Sequence, residues 1–447
     1  MPDKLFFFAE ATTFPCKCGK IHHIPTKKTM LGKEVLPRIP QTLSELNLGK
    51  KLLLLFDNNT YEAAGKETER ILKKASFEVV PVLLEKPPEL KYLEPDEKAR
   101  ERIGSFLFHK PDFILAVGSG VINDLAKFVA HRTQIPYAVV ATAPSMDGYS
   151  SPGAPMLVGG YKVTYDATPP CAIFMDLEIL SQAPLPLIQS GFSDLVGKIT
   201  ANADWVMRNI LQEEYFCEYT WELVKGALEI LREKAEKIGE REEEAIYALA
   251  VALLNSGFSM TMVGDSRPAS GAEHLVAHHL EMMALHRRMD PSLHGLRVGG
   301  ATVIIKKMYD RFIQELKEID WEKSKNHSFR SQEEELKIHF GPLFPFIEKD
   351  AKEKLKWDKE EIKVADSAFL SQQLQDKLSV IPDPASLLQR AQAPQTLKEL
   401  GFSEKMIREA LLFSRFIRKR VTILDLLGKA GLLEEYIDYA LSDGFCN

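Results

Sequence analysis

The chain has little cysteine: five in 447 residues. A sparse, odd-numbered set offers no disulfide framework and fits reduced thiols in a cytoplasm. Long apolar runs are also missing. The cluster at the start, Leu5 to Phe8, is too short for a secretion signal, and no stretch reads as long enough to span a bilayer. There is no basic excess. Lysine and arginine number 57 against 63 aspartates and glutamates, and a net charge of -6 gives no cationic field for nucleic acid or anionic lipid. No repeat or low-complexity tract is found. HExxH is absent, so metalloprotease chemistry of that type is not indicated. What remains is ordinary globular composition, 45% hydrophobic and 27% charged, with length for two domains.

The most informative stretch is Phe113 to Ser151. Phe113 to Val117 reads as a buried strand, broken by Gly118-Ser119-Gly120. A helical pattern follows from Val121 to about His131, then a second buried strand over Tyr137 to Ala141 and a polar loop from Thr142 to Gly148. This is a βαβ unit. Its glycines permit close backbone approach, and the unpaired N–H groups at a helix start attract phosphate. The dinucleotide fingerprint GxGxxG is incomplete, because Asn123 replaces the third glycine. A lone GSG is more often just a tight strand-to-helix turn. The second loop, rich in Thr, Ser, Asp and Gly, lies where open parallel sheets place their ligands.

Upstream, Leu52 to Phe56 and Phe77 to Leu84 read as strands, with Thr60 expected to cap a helix running to about Ala75 and a second helix over Pro95 to His109. The alternation predicts a mostly parallel sheet covered by helices on both faces. Asp57 ends its strand, where a carboxylate either binds ribose hydroxyls or caps a helix. Cys16-Lys17-Cys18, with His22 and His23, matches no zinc-ligand spacing; the expectation is a surface loop or edge hairpin. Pro155 to Val163 reads as a hairpin turning at Gly159-Gly160, and Cys171 to Met175 as a last strand. From about Ser181 nearly everything has helical period. The expected organisation is an α/β dinucleotide-binding domain over 1–182 and an all-helical metal- and substrate-binding domain over 183–447, with the active site in the cleft between them. The run Arg415 to Arg420 (RFIRKR) is expected to be a solvated helix end.

Three places in the helical half carry metal-ligand chemistry. Asp194 and Lys198 share a helix face, as do His274 and His278, and His294 opens a new helix. A carboxylate with two imidazoles suits a divalent ion and leaves positions open for substrate. Singly, each has a plain explanation: a surface ion pair, or a satisfied helical histidine. In combination with a phosphate-competent βαβ half, they suggest a cofactor and a metal meeting in a cleft.

Those residues, in GSGVIND, TAPSMDGYSS, GFSDLVGK, SRPASGAEH and the His294-Gly295 pair, make the chain resemble the sn-glycerol-1-phosphate dehydrogenases over nearly its whole length. That family lies in a superfamily with glycerol dehydrogenase, iron-type alcohol dehydrogenases and dehydroquinate synthase. The resemblance implies NAD(H) or NADP(H) and one divalent ion (zinc or nickel, with iron a third option). It places Asp57 on the adenosine side, and Gly118, Ser119, Gly120, Val121 and Ile122 around the pyrophosphate. Thr142, Ser145 and Ser151 would line the nicotinamide side. Asp147 would contact substrate hydroxyls; Asp194, His274 and His294 would hold the metal; Asp194 and His278 would reach substrate. Lys198 and Arg267 are the candidate phosphate cations. The implied reaction is reduction of dihydroxyacetone phosphate to sn-glycerol 1-phosphate, for ether or prenyl lipid synthesis, by a cytoplasmic homodimer or higher homo-oligomer without stable membrane insertion. A glycerol or other alcohol dehydrogenase, or a phosphate-eliminating cyclase like dehydroquinate synthase, keeps the same fold.

Overall fold

Four leucines in a row, Leu52 to Leu55, have no exposed surface. A strand with both faces covered reads this way, and each such leucine contributes about 1.5–3 kcal/mol on burial. This strand, β3 (Lys51–Phe56), lies in a seven-stranded sheet. The others are β1 (Glu10–Pro15), β2 (Ile21–Gly32), β4 (Glu78–Leu83), β5 (Phe113–Gly118), β6 (Tyr137–Ala141) and β9 (Ala172–Asp176). The computed structural model describes residues 6–86, 91–319, 329–358 and 366–442, so Leu5 lies outside the described residues. The sheet order is β1-β2-β9-β6-β5-β3-β4, and only the edge pair β1–β2 is antiparallel. The mostly parallel sheet matches the sequence expectation.

Strand order locates the ligand crevice. The chain leaves β3 outward to β4, then returns to place β5 on the other side of β3. At such a reversal the C-terminal ends of neighbouring strands splay and open a crevice. Asp57 follows β3 and Ser119 follows β5, so both stand at that opening. The alternation of side chains divides the sheet between two cores. Leu52, Leu54, Phe113, Leu115 and Val117 belong to one with Leu43 and Leu72. Leu53, Leu55, Ile114, Ala116 and Val139 belong to the other, which continues through Ile188, Phe192, Leu249 and Leu253 of the helical half.

Several local expectations need correction. Thr60 does not cap the helix that follows β3. Asp57 does, its Oδ1 accepting from the Thr60 amide at 2.8 Å while the Asp57 amide donates to Thr60 Oγ1 at 3.0 Å. A reciprocal capping box satisfies two helix-end donors at once, which Thr60 alone does not. The Gly-Gly hairpin is present as β7 (Gly153–Val158) and β8 (Tyr161–Asp166), with φ of +57° and +82° at Gly159 and Gly160. RFIRKR is not a solvated helix end. Arg415 pairs with Asp358 and Asp425, Arg418 donates to Tyr161 and to the Lys162 carbonyl, and Arg420 reaches Asp265. Among the described residues one helix, Glu243–Val263, is long and apolar enough to cross a membrane by length and composition, contrary to the sequence expectation. Its most apolar window is 83% buried inside the protein, so its apolar faces are spent on packing.

Candidate active site

Asp194 lies near the end of the Leu185–Val196 helix, and Lys198 begins the next, Lys198–Gln212. Gly197 breaks the helix between them, yet the i, i+4 contact survives. Lys198 Nζ donates to Asp194 Oδ1 at 2.8 Å and to the Ala269 carbonyl at 3.0 Å, and pairs with Asp147 Oδ2 at 2.9 Å. Asp194 Oδ2 accepts the Asp147 amide at 3.3 Å, which ties the polar loop after β6 to the helical half. Ser256 donates to Asp147 Oδ2 at 2.7 Å. Close backbone approach makes this possible. A Cβ on Gly191 would sit 1.9 Å from the Pro144 carbonyl oxygen, and one on Gly295 1.9 Å from that of Ser190.

The histidines complete the cluster. One ligand atom each from Asp194, His274 and His294 lies within 4.8 Å of the others. His274 Nδ1 faces Glu273 Oε1 at 2.7 Å, and Glu273 also accepts from the Thr200 hydroxyl and the Gly271 amide. A carboxylate behind an imidazole fixes the proton on Nδ1 and leaves the Nε2 lone pair forward. That lone pair faces Asp194 Oδ1 at 3.3 Å. Two acceptors at that distance need a cation or a proton between them. His294 Nδ1 is buried without a hydrogen-bond partner. The His278 ring centroid lies 6.0 Å from that of His274 and 5.4 Å from that of His294.

The electrostatics follow from this packing. Burial works against ionisation of Asp194, but the Lys198 ammonium foremost outweighs it and holds the carboxyl well below its ordinary range. Burial likewise opposes the charge on Lys198, yet Asp147 and Asp194 raise its pKa. Burial and the Lys162 charge push His278 and His294 well below the ordinary histidine value, so both are neutral ligands or relays near pH 7.

The glycine turn lies across the same loop. The Thr142 amide donates to the Gly118 carbonyl at 3.2 Å, and Gly120 packs against Met146. Ser119, at the N-cap of the Gly120–Thr133 helix, makes no side-chain cap, and Ser119, Gly120 and Val121 are partly exposed, while Ile122 turns inward. Thr142 and Ser145 are buried below them. Ser151 is turned into the loop, where its hydroxyl donates to the Gly148 carbonyl at 3.1 Å and meets Lys127 Nζ at 3.2 Å. Arg267 turns away to Glu214 at 2.7 Å and Asp265 at 3.5 Å.

Sequence reasoning missed the residues around Lys162. Its Nζ donates to Glu281 Oε2 at 2.7 Å, and Arg297 meets the same oxygen at 2.7 Å. Glu94 nearby is pushed up to about 7, by burial and then by Glu281. Lys162 sits on a hairpin that reads as plain β-structure; Arg297 lies one helical turn after His294, a spacing that had the signal.

The comparisons with known proteins bear on this geometry. Residues 30–184 match the model of the iron-containing alcohol dehydrogenase family. A glycerol-1-phosphate dehydrogenase [NAD(P)+] of Bacillus licheniformis is 30% identical over 435 residues, 96% of each chain. The chain belongs to the glycerol-1-phosphate dehydrogenase family. The member from Thermococcus sibiricus is 34% identical over 283 residues, 63% of this chain and 77% of its own. Among solved structures, a probable glycerol dehydrogenase from Sinorhizobium meliloti superposes with a TM-score of 0.58 at 15% identity, covering 92% of this chain and 97% of its own. That likeness is one of fold.

Proposed function

We propose that this glycerol-1-phosphate dehydrogenase family member reduces dihydroxyacetone phosphate to sn-glycerol 1-phosphate with NADH or NADPH, reversibly, in the cytoplasm. The product would supply the glycerophosphate backbone of ether or prenyl lipids. The observation that carries the reading is the convergence of Asp194, His274 and His294, joined through the Asp147 amide to the loop beside the glycine turn. The donor set fits a divalent ion: one ionised carboxylate, one imidazole with its tautomer fixed by Glu273, and one with a buried unpartnered nitrogen. Zinc or nickel suits such N and O ligands, and iron is accepted too. Bound there, the ion supplies Lewis acidity at the ketone oxygen, and the reduced nicotinamide supplies hydride.

The chain's own residues do the rest. Ser119, Gly120, Val121 and Ile122 present helix-start amides to the pyrophosphate beside Gly118, the end of β5, and Asp57 is proposed to take a ribose hydroxyl at the crevice. Thr142, Ser145 and Ser151 shape the nicotinamide side. Asp147 accepts from a substrate hydroxyl. His278 relays a proton, taking one from water at one ring nitrogen as it releases another at the second. For the phosphate, charge balance decides. Lys198 sits between two carboxylates, which leaves its surroundings net negative, and Arg267 is spent on Glu214 and Asp265. Lys162 and Arg297 share one carboxylate, Glu281, and leave a net positive charge beside His278 and His294. Lys162 is therefore the proposed phosphate cation, with Lys198 anchoring Asp147 and Asp194. The assembly is proposed as a homodimer or higher homo-oligomer, to be checked by light scattering.

NADH oxidation should begin on adding dihydroxyacetone phosphate, stay far slower with dihydroxyacetone, and stop on chelation. Equal rates with both substrates, or turnover by metal-free protein, would reject the reading. Lys162→Met should raise KM for the phosphate substrate much more than for dihydroxyacetone.

A further inference from the structure

We propose that the protein binds a second metal ion, a structural zinc, through Cys16, Cys18, His22 and Cys217. In sequence the first three look like a fragment, because the remaining donor is 195 residues beyond His22. The fold brings it back. Cys16 and Cys18 lie on the turn between β1 and β2, closed by the Cys16 amide to the Lys20 carbonyl at 2.9 Å and by Gly19 at φ +85°. His22 is on β2, and Cys217 precedes the Glu218–Glu233 helix without capping it through its side chain.

One ligand atom from each of the four lies within 4.8 Å of the others. Cys16 Sγ is 3.9 Å from Cys217 Sγ, His22 Nε2 is 3.5 Å from Cys18 Sγ, and His22 Nε2 is 3.3 Å from Cys217 Sγ. A tetrahedron with zinc–sulfur bonds of about 2.3 Å and a zinc–nitrogen bond of about 2.0 Å has sulfur–sulfur edges of about 3.8 Å and sulfur–nitrogen edges of about 3.5 Å. The three separations given are close to those edges. A disulfide, at about 2.05 Å, is far shorter.

The surroundings are those of a ligand set. His22 Nδ1 meets the Met262 carbonyl at 2.9 Å, which holds the proton on Nδ1 and turns the Nε2 lone pair toward the sulfurs. The Tyr215 hydroxyl is 3.1 Å from Cys18 Sγ and can donate to a thiolate, and Lys20 Nζ lies 3.5 Å from the Tyr215 ring centroid, opposing the net charge of three thiolates and one zinc. Phe14 packs edge-on against the His22 ring and Tyr219 against Phe14. Four protein donors with no open position make a structural centre. It ties the edge of the sheet to the start of one helix of the other half and, through His22, to the end of the Glu243–Val263 helix. Neither hairpin nor helix start holds the other in sequence, so the ion's binding energy becomes folding energy.

The site is separate from the Asp194 cluster, and the test keeps them apart. His274→Ala protein, prepared without chelator, should retain one zinc per chain by elemental analysis. Adding Cys18→Ser or Cys217→Ser should remove it. X-ray absorption on the His274→Ala protein, which leaves the cysteines intact whether or not their variants fold, should read three sulfurs and one nitrogen around zinc. Zinc-free His274→Ala protein, zinc content unaffected by the cysteine changes, a shell of nitrogen and oxygen only, or a Cys16–Cys217 disulfide by mass spectrometry would each overturn the proposal.

Discussion

Single side chains set the pH response. Glu94 is held at about 7, against an ordinary glutamate near 4.5, by burial and by Glu281. Its folded-state pKa is raised, so the folded protein binds the extra proton. Stability contributed by the neutral carboxyl is present below the ordinary value and is lost as pH rises to about 7. Ionisation there also places a negative charge beside Lys162. KM for dihydroxyacetone phosphate should rise above pH 7 relative to Glu94→Gln, by up to about tenfold, the energy of one unit of pKa coupling. Parallel pH profiles for the two proteins would refute the placement of phosphate at Lys162. Asp57 gives a second test. Asp57→Ser removes a carboxylate that both caps a helix and faces the crevice. It should weaken NADH more than NADPH, whose phosphate the charge repels; equal losses would leave Asp57 only its cap, a role that Ser keeps.

Elements are locked together by buried charge as well as by apolar packing. Asp425 accepts from the Thr422 amide at 2.7 Å, capping the Ile423–Lys429 helix, and pairs with Lys354 at 2.7 Å from the Phe344–Trp357 helix. Both side chains are almost wholly buried, at 1% and 0% exposure, and burial lowers Lys354 to about 8 even beside Asp425. Asp425→Asn strands that ammonium, while Arg415 keeps Asp358, and should cost about 3–5 kcal/mol. Urea unfolding measures it. A loss below about 1 kcal/mol would mean that water reaches the pair. The basic run RFIRKR was misread for a related reason: its carboxylate partners, Asp265, Asp358 and Asp425, are distant or on other helices, and charge pattern along one segment does not reveal them.

Across the molecule, cation binding and folding are linked. A divalent ion held by Asp194, His274 and His294 at a hundred times its dissociation constant should add about 2.7 kcal/mol, and His274→Ala should erase that increment. Thermal melts with zinc, nickel and ferrous iron, compared between the two proteins, isolate this site from any ion at the cysteines. The metal giving the largest difference is the one that this site binds most tightly. No difference for any of them would remove the metal from the mechanism.

Alternation of apolar strands and helical patterns determined the mostly parallel sheet, because Leu52 to Leu55 or Phe113 to Val117 have few stable places except between two covered faces. The glycine turn, the loop around Asp147 and the His274–His278 pair were legible for the same reason: each is a local pattern with a local cause. Tertiary structure alone decided which distant groups meet. Asp194 joins His274 and His294, Lys162 joins Glu281 and Arg297, and Cys217 joins the hairpin cysteines only because the strand order and the helix packing carry them together. Hydrogen bonds and ion pairs act over a few ångströms in space, and separation along the chain says little about that distance.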